Sequence, residues 1–115
     1  MKIAAAITIA VLLNSTALPA EPMPVEKWEP IGEQRITCYC PTCNDGGDHE
    51  SSSGVYLEPG HAACSWLPIG TKISVEGEIF TIVDTCGTDA IDLFVETDYC
   101  RCNINEYRKV SVLEK

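Results

Sequence analysis

The chain has 115 residues, and eight Lys and Arg stand against seventeen Asp and Glu for a net charge of −9. That length holds one domain with a modest core, a size at which folding often depends on added staples. The acidic balance excludes a nucleic-acid binder, whose affinity comes from Lys and Arg displacing counterions from phosphates. It equally disfavours electrostatic attachment to anionic polymers or membrane surfaces.

In chain order, Met1 and Lys2 give a positive start, Ile3 to Leu13 is almost unbroken apolar sequence, and Ala17 or Ala20 suits a signal peptidase. The apolar run is too short to cross a bilayer core of ~30 Å, so residues 1–20 are expected to be a secretory signal rather than an anchor. A secreted or cell-envelope location follows, with no stable membrane insertion after cleavage near Glu21; an uncleaved anchor is the alternative. Residues 21–34 carry Pro22, Pro24 and Pro30 among glutamates, without apolar periodicity, and read as a mobile arm.

Arg35 to Cys40 is the first expected strand, and residues 44–53 form a polar, turn-rich loop. Gly54 to Leu57 and His61 to Cys64 are short strand candidates around the turn Glu58-Pro59-Gly60. Thr71 to Val75 and Glu78 to Asp84 flank Glu76-Gly77, a hairpin signal between β-branched runs. Ile91 to Val95 adds a strand, residues 96–105 are irregular or a short helix, and Tyr107 to Leu113 closes the sheet. Short strands joined by turns, with no convincing amphipathic helix, point to a small all-β barrel over residues 35–115.

Seven cysteines, Cys38, Cys40, Cys43, Cys64, Cys86, Cys100 and Cys102, all follow the leader. In an exported chain they read as disulfide candidates that staple a small core. Metal ligation is the rival reading, but the paired spacing of zinc folds occurs only once, at Cys40 and Cys43. No metal ligand set and no cofactor is assigned. Spacing alone fixes no pairing, and the odd count leaves open a disulfide-linked dimer of an otherwise monomeric protein.

Three segments carry a resemblance: Ala63-Cys64-Ser65-Trp66-Leu67-Pro68-Ile69-Gly70-Thr71-Lys72-Ile73, then Phe80-Thr81-Ile82-Val83-Asp84-Thr85-Cys86-Gly87, then Ala90-Ile91-Asp92-Leu93-Phe94. With Thr37-Cys38-Tyr39-Cys40-Pro41 and Ser53-Gly54 ahead of them, the chain resembles the three-aspartate (3D) domain of the double-psi β-barrel superfamily. That superfamily includes the C-terminal region of lytic transglycosylase A, rare lipoprotein A, expansins and family 45 endoglucanases. The resemblance implies a six-stranded double-psi barrel and a cell-wall glycan, peptidoglycan, as partner. It also departs from the pattern. The first aspartate of the family aligns with Cys64, Cys86 replaces a glycine, and the gap from Asp84 to Asp92 is short.

The physics of the matched residues agrees with such chemistry. Asp84 and Asp92 each interrupt an apolar run, and a carboxylate among apolar neighbours is partly desolvated, which raises its pKa and suits it to act as an acid. The resemblance implies lytic cleavage between N-acetylmuramic acid and N-acetylglucosamine, with Asp92 as acid/base and Asp84 as second carboxylate. Two carboxylates straddling the bond would instead permit hydrolysis. Thr71, Ser53 and Gly87 are candidate hydrogen-bonding positions for sugar, and Trp66, Tyr39 and Tyr56 candidate stacking platforms. Each has a structural alternative: a turn or cap role for the aspartates, a core position for Trp66. His49 and His61 are assigned no role. A non-catalytic, expansin-like glycan-binding module and a cysteine-rich secreted effector remain alternative functions.

Overall fold

The structure, a computed structural model, describes residues 25–44, 48–97 and 102–114. The expected signal sequence, the first residues of the arm and Cys100 lie outside the described residues. Six strands make up the fold: β1 (Trp28–Tyr39), β2 (His61–Ala63), β3 (Lys72–Val75), β4 (Glu78–Asp84), β5 (Ile91–Phe94) and β6 (Asn105–Leu113). They close into a barrel in the order β1-β5-β2-β4-β3-β6. Two pairings, β1 with β5 and β2 with β4, are parallel, and the other four are antiparallel. Apart from the 3-10 turn Pro41–Cys43, no helix occurs among the described residues. A closed, mixed, six-stranded barrel is compatible with the double-psi arrangement expected from the sequence.

Local chemistry accounts for most of the strand ends. The hairpin between β3 and β4 turns on Glu76 (φ 50°) and Gly77 (φ 91°), the two consecutive left-handed residues that match the twist of the flanking strands. In the turn entering β3, Thr71 N–H donates to the Pro68 carbonyl at 3.1 Å, and Gly70 supplies the positive φ (97°) that its third position needs.

Two expectations are corrected. The arm is shorter than its composition suggests: β1 begins at Trp28 rather than Arg35 and pairs with β6 from Trp28↔Leu113 onward. Pro30 and Gly32 flank a register shift in that ladder, a place where a residue without N–H is tolerated. Gly54 to Leu57 does not form a strand; its only bridge joins Glu50 to Tyr56.

The barrel is filled from alternating inward positions. Ile36, Ile73, Ile82, Ile91 and Val110 are each at most 2% exposed and form the main core with Cys64 and Leu93. A second, smaller cluster of Tyr39, Leu57, Ala63, Val83 and Phe94 lies on the opposite face of the β1, β5, β2 and β4 segments. The candidate site lies on this second face.

The expected stapling is not found between the described cysteines: no disulfide bond joins two of them. Cys38, Cys64, Cys86 and Cys102 are free thiols, Cys40 keeps a hydrogen-bonded thiol, and Cys43 is disulfide-bonded. The cysteines nonetheless lie near one another, because the barrel closure brings the end of β1 against residues 102–104 and the end of β2 against the loop after β4.

A two-aspartate cleft at the ends of three strands

The order β5-β2-β4 places one short strand between the two that carry the aspartates. Ala63 of β2 pairs with Asp92 on one side and with Asp84 on the other. Its methyl side chain is the smallest that keeps a Cβ, so the space between the two carboxylates stays open. On β4 the register slips between Ala62↔Ile82 and Ala63↔Asp84, leaving Val83 as an extra residue. Without this bulge, alternation would point Asp84 into the main core with Phe80 and Ile82. With it, Asp84 is turned to the face that holds Ala63 and Asp92.

Both aspartates line one cleft of about 370 Å³, together with Tyr39, Ala63, Gly87 and the loop residues Glu50, Ser51 and Ser52. The volume lies in the range of small-ligand sites, and the lining is rich in hydroxyl, amide and carboxyl groups, which suits a hydroxylated ligand. Asn44, Cys43, Thr85 and Cys86 complete the wall.

The two carboxyl groups are held differently. Asp84 is only 6% exposed and accepts three hydrogen bonds. Ser52 N–H and Thr85 N–H reach Oδ1 at 2.8 and 2.9 Å, and the Tyr39 hydroxyl reaches Oδ2 at 3.2 Å. Burial, then the charge of Asp84, raises the Tyr39 pKa far above that of a free phenol, so Tyr39 remains a donor. Its ring packs edge-on against Phe94, with centroids 5.4 Å apart. Asp92, half-buried, accepts one side-chain hydrogen bond, from Thr37 Oγ1 at 2.9 Å, its partner across the β1–β5 ladder. Burial pushes the Asp92 pKa up; the Thr37 bond opposes this, and the negative charge of Asp84 adds to it. One carboxyl is thus anchored as an acceptor, and the other is kept inclined to hold a proton.

Of the residues expected from sequence, the cleft gathers Asp84, Asp92, Tyr39 and Gly87. Thr71, Ser53 and Trp66 do not line it. Ser53 Oγ donates to the Val83 carbonyl and so supports the wall from behind. Thr71 takes its place in the turn that precedes β3, its carbonyl accepting from Ile82 N–H at 2.8 Å. Trp66 is neither core nor cleft: it is 42% exposed, with its indole N–H donating to the Asp89 carbonyl at 2.8 Å. Tyr39 is in the cleft as a hydroxyl donor rather than as an open stacking face, because it is 8% exposed. Tyr56 is 64% exposed and stacks on His49, with centroids 4.7 Å apart and planes at 9°.

Cys64, aligned with the missing first aspartate, follows the cleft residue Ala63 but does not itself line the cleft. It is 1% exposed and belongs to the main core, whereas Cys86 lines the cleft wall. Burial raises the Cys64 pKa, which makes it a poor nucleophile. Sequence reasoning missed Glu50, Ser51, Ser52 and Thr37. Thr37 was legible as one of the segments of the resemblance, but its bond to Asp92 depends on the parallel pairing of β1 with β5.

Among the described residues, no group of three or more His, Cys, Asp or Glu side chains is arranged to hold a metal ion. No family model matches the chain, and neither the curated proteins nor the solved structures contain a match. The likeness to three-aspartate domains therefore rests on the quoted residues and on a barrel compatible with that fold.

Proposed function

We propose that the chain is an exported, three-aspartate-like double-psi barrel protein that acts on cell-wall glycan, with Asp92 as the acid/base of a lytic cleavage. The observation that carries this reading is the unequal treatment of two carboxyl groups in one open, polar cleft. Asp92, less buried than Asp84 and held by one side-chain hydrogen bond, combines access with a raised pKa, as a general acid requires. In the reaction, Asp92 gives its proton to the glycosidic oxygen between N-acetylmuramic acid and N-acetylglucosamine. The resulting carboxylate then takes the proton of the muramoyl 6-hydroxyl as that oxygen closes on the anomeric carbon, leaving a 1,6-anhydro end. Asp84, engaged by Ser52, Thr85 and Tyr39, fixes the cleft wall and adds negative potential beside the developing positive charge at the sugar ring.

Incubation of the mature protein with purified sacculi, followed by mass spectrometry of the fragments, tests this. Anhydro-muramoyl ends are expected from the native protein, with a loss of at least about 100-fold in Asp92→Asn. New reducing ends would instead mean hydrolysis, with Asp84 as the partner carboxylate.

A second reading is favoured by Cys64: the position aligned with an acid in the family holds a buried thiol that does not line the cleft. On that reading the barrel is a non-catalytic glycan-binding module. Sacculus pull-down without any new fragments would decide for it.

A further inference from the structure

The free thiols are not scattered. Cys38, on β1 between Thr37 and Tyr39, accepts the Ile104 N–H at 3.4 Å, and the Cys102 thiol is hydrogen-bonded to it. On the other side of the cleft, residues 64–66 run in step with the loop from Asp84 to Ala90. Cys64 N–H donates to the Asp84 carbonyl at 3.0 Å, Ser65 Oγ to the Thr88 carbonyl at 2.9 Å, and Trp66 Nε1 to the Asp89 carbonyl at 2.8 Å. Cys86 lies in that loop with its Sγ 3.3 Å from the Ala90 carbonyl. Each thiol pair therefore joins segments already held side by side by hydrogen bonds, and the two cysteines of each pair lie close enough to act on one another.

We propose that Cys38 pairs with Cys102, and Cys64 with Cys86, as two disulfide bonds that brace the aspartate cleft from its two sides. The first would fasten residues 102–104 to the strand carrying Thr37 and Tyr39, the hydrogen-bond donors to Asp92 and Asp84. The second would fasten the loop that connects Asp84 to Asp92 onto the end of β2. Both pairs join residues distant in sequence, so each closes a loop long enough to remove much freedom from the unfolded chain. The pairing does not depend on which ligand the cleft takes.

The chemistry needs a disulfide as oxidant, such as oxidised glutathione or the disulfide of a thiol oxidase. One thiolate of a pair attacks a sulfur of the donor, forming a mixed disulfide and releasing one donor thiol. The second cysteine then displaces the other donor thiol. Two S–H bonds are lost, one S–S bond forms, and the two electrons and two protons leave on the reduced donor.

The test equilibrates the full mature chain with a mixture of oxidised and reduced glutathione, then alkylates it under denaturing, non-reducing conditions and maps the peptides. Cross-linked peptides 38–102 and 64–86 are expected. Two single variants at partly exposed positions provide an independent readout. Cys102→Ser should make Cys38 newly alkylatable while Cys64 and Cys86 stay protected, and Cys86→Ser should do the same for Cys64 alone. Reduction of the native protein should lower its thermal midpoint by more than about 10 °C. Linkage of Cys38 or Cys64 to any other cysteine overturns the proposal, as does full alkylation of all four residues in the oxidised protein.

Discussion

At the residue scale, the site depends on how one hydroxyl tunes one carboxyl. The Thr37 bond favours the ionised form of Asp92, against the burial that disfavours it. Thr37→Val removes the bond with little change of shape, so the Asp92 pKa should rise further. Because the acid works while protonated, the high-pH limb of activity should move to higher pH. Titration of the Asp92 carboxyl carbon by NMR checks this, and an unchanged or lower pKa counts against the assignment. The same raised pKa has a stability consequence. The folded state holds the Asp92 proton more tightly than the unfolded chain does. Ionisation therefore costs nothing below the ordinary carboxylate pKa and carries its full penalty above the raised one. Asp92→Asn should accordingly raise the thermal midpoint at neutral pH but not in acid. A catalyst lost and a fold strengthened by one substitution would mark Asp92 as a residue retained for chemistry.

At the scale of elements, the site is a consequence of one short strand and one loop. Ala63 is 2% exposed between the two aspartates. Ala63→Leu should fill the gap, abolish ligand binding, and cost about 1–3 kcal/mol of stability through overpacking; calorimetry with glycan fragments and chemical denaturation read the two effects. The loop that brings Ser51 and Ser52 to the cleft is held by His49. Its Nδ1 lies 2.7 Å from Asp48 Oδ1 and its Nε2 2.8 Å from Glu96 Oε2, while its ring stacks on Tyr56 and tilts against Phe94, 5.8 Å away. The Glu96 contact raises the His49 pKa; desolvation opposes it, and the Asp48 contact adds to the rise. A raised histidine pKa contributes stability that is complete below the unfolded value near 6.5 and is lost as pH rises through the folded one. Amide protection of residues 48–57, corrected for intrinsic exchange, should therefore fall across that window. His49→Gln should remove the pH dependence, and a persistent transition would point to a different group.

At the scale of the whole molecule, closure decides whether there is a fold at all. β6 is the last strand in sequence yet pairs with both β1 and β3. Ending the chain at Ile104 would leave the backbone donors and acceptors of β1 and β3 that face β6 unpaired, remove Val110 from the core and expose Ile36 and Val75. Such a chain should show no cooperative thermal transition and no near-ultraviolet circular dichroism, and a retained transition would mean that five strands suffice. The acidic balance is compatible with the proposed glycan ligand, because the cleft offers short-range polar groups rather than a field of opposite charge.

Much of this was legible in the residues themselves. Alternating β-branched runs, Glu76-Gly77 and Pro68-Ile69-Gly70 determine strands and turns locally, since side-chain period and backbone φ need no distant partner. Asp84 and Asp92 stood out because a charge inside an apolar run is costly wherever the run folds. Composition misled at residues 28–34, where Pro30, Gly32 and two glutamates hide a strand whose hydrogen bonds come from β6, about eighty residues away in sequence. It also could not show that Cys64 is part of the main core while Cys86 borders the cleft. The extra residue Val83 resets side-chain alternation along β4. The same bulge turns Asp84 toward Asp92, and the parallel pairing of β1 with β5 sets Thr37 against it. The sequence determined which side chains could do acid chemistry; the tertiary structure decided which of them share a cleft, because that depends on register between strands far apart in the chain.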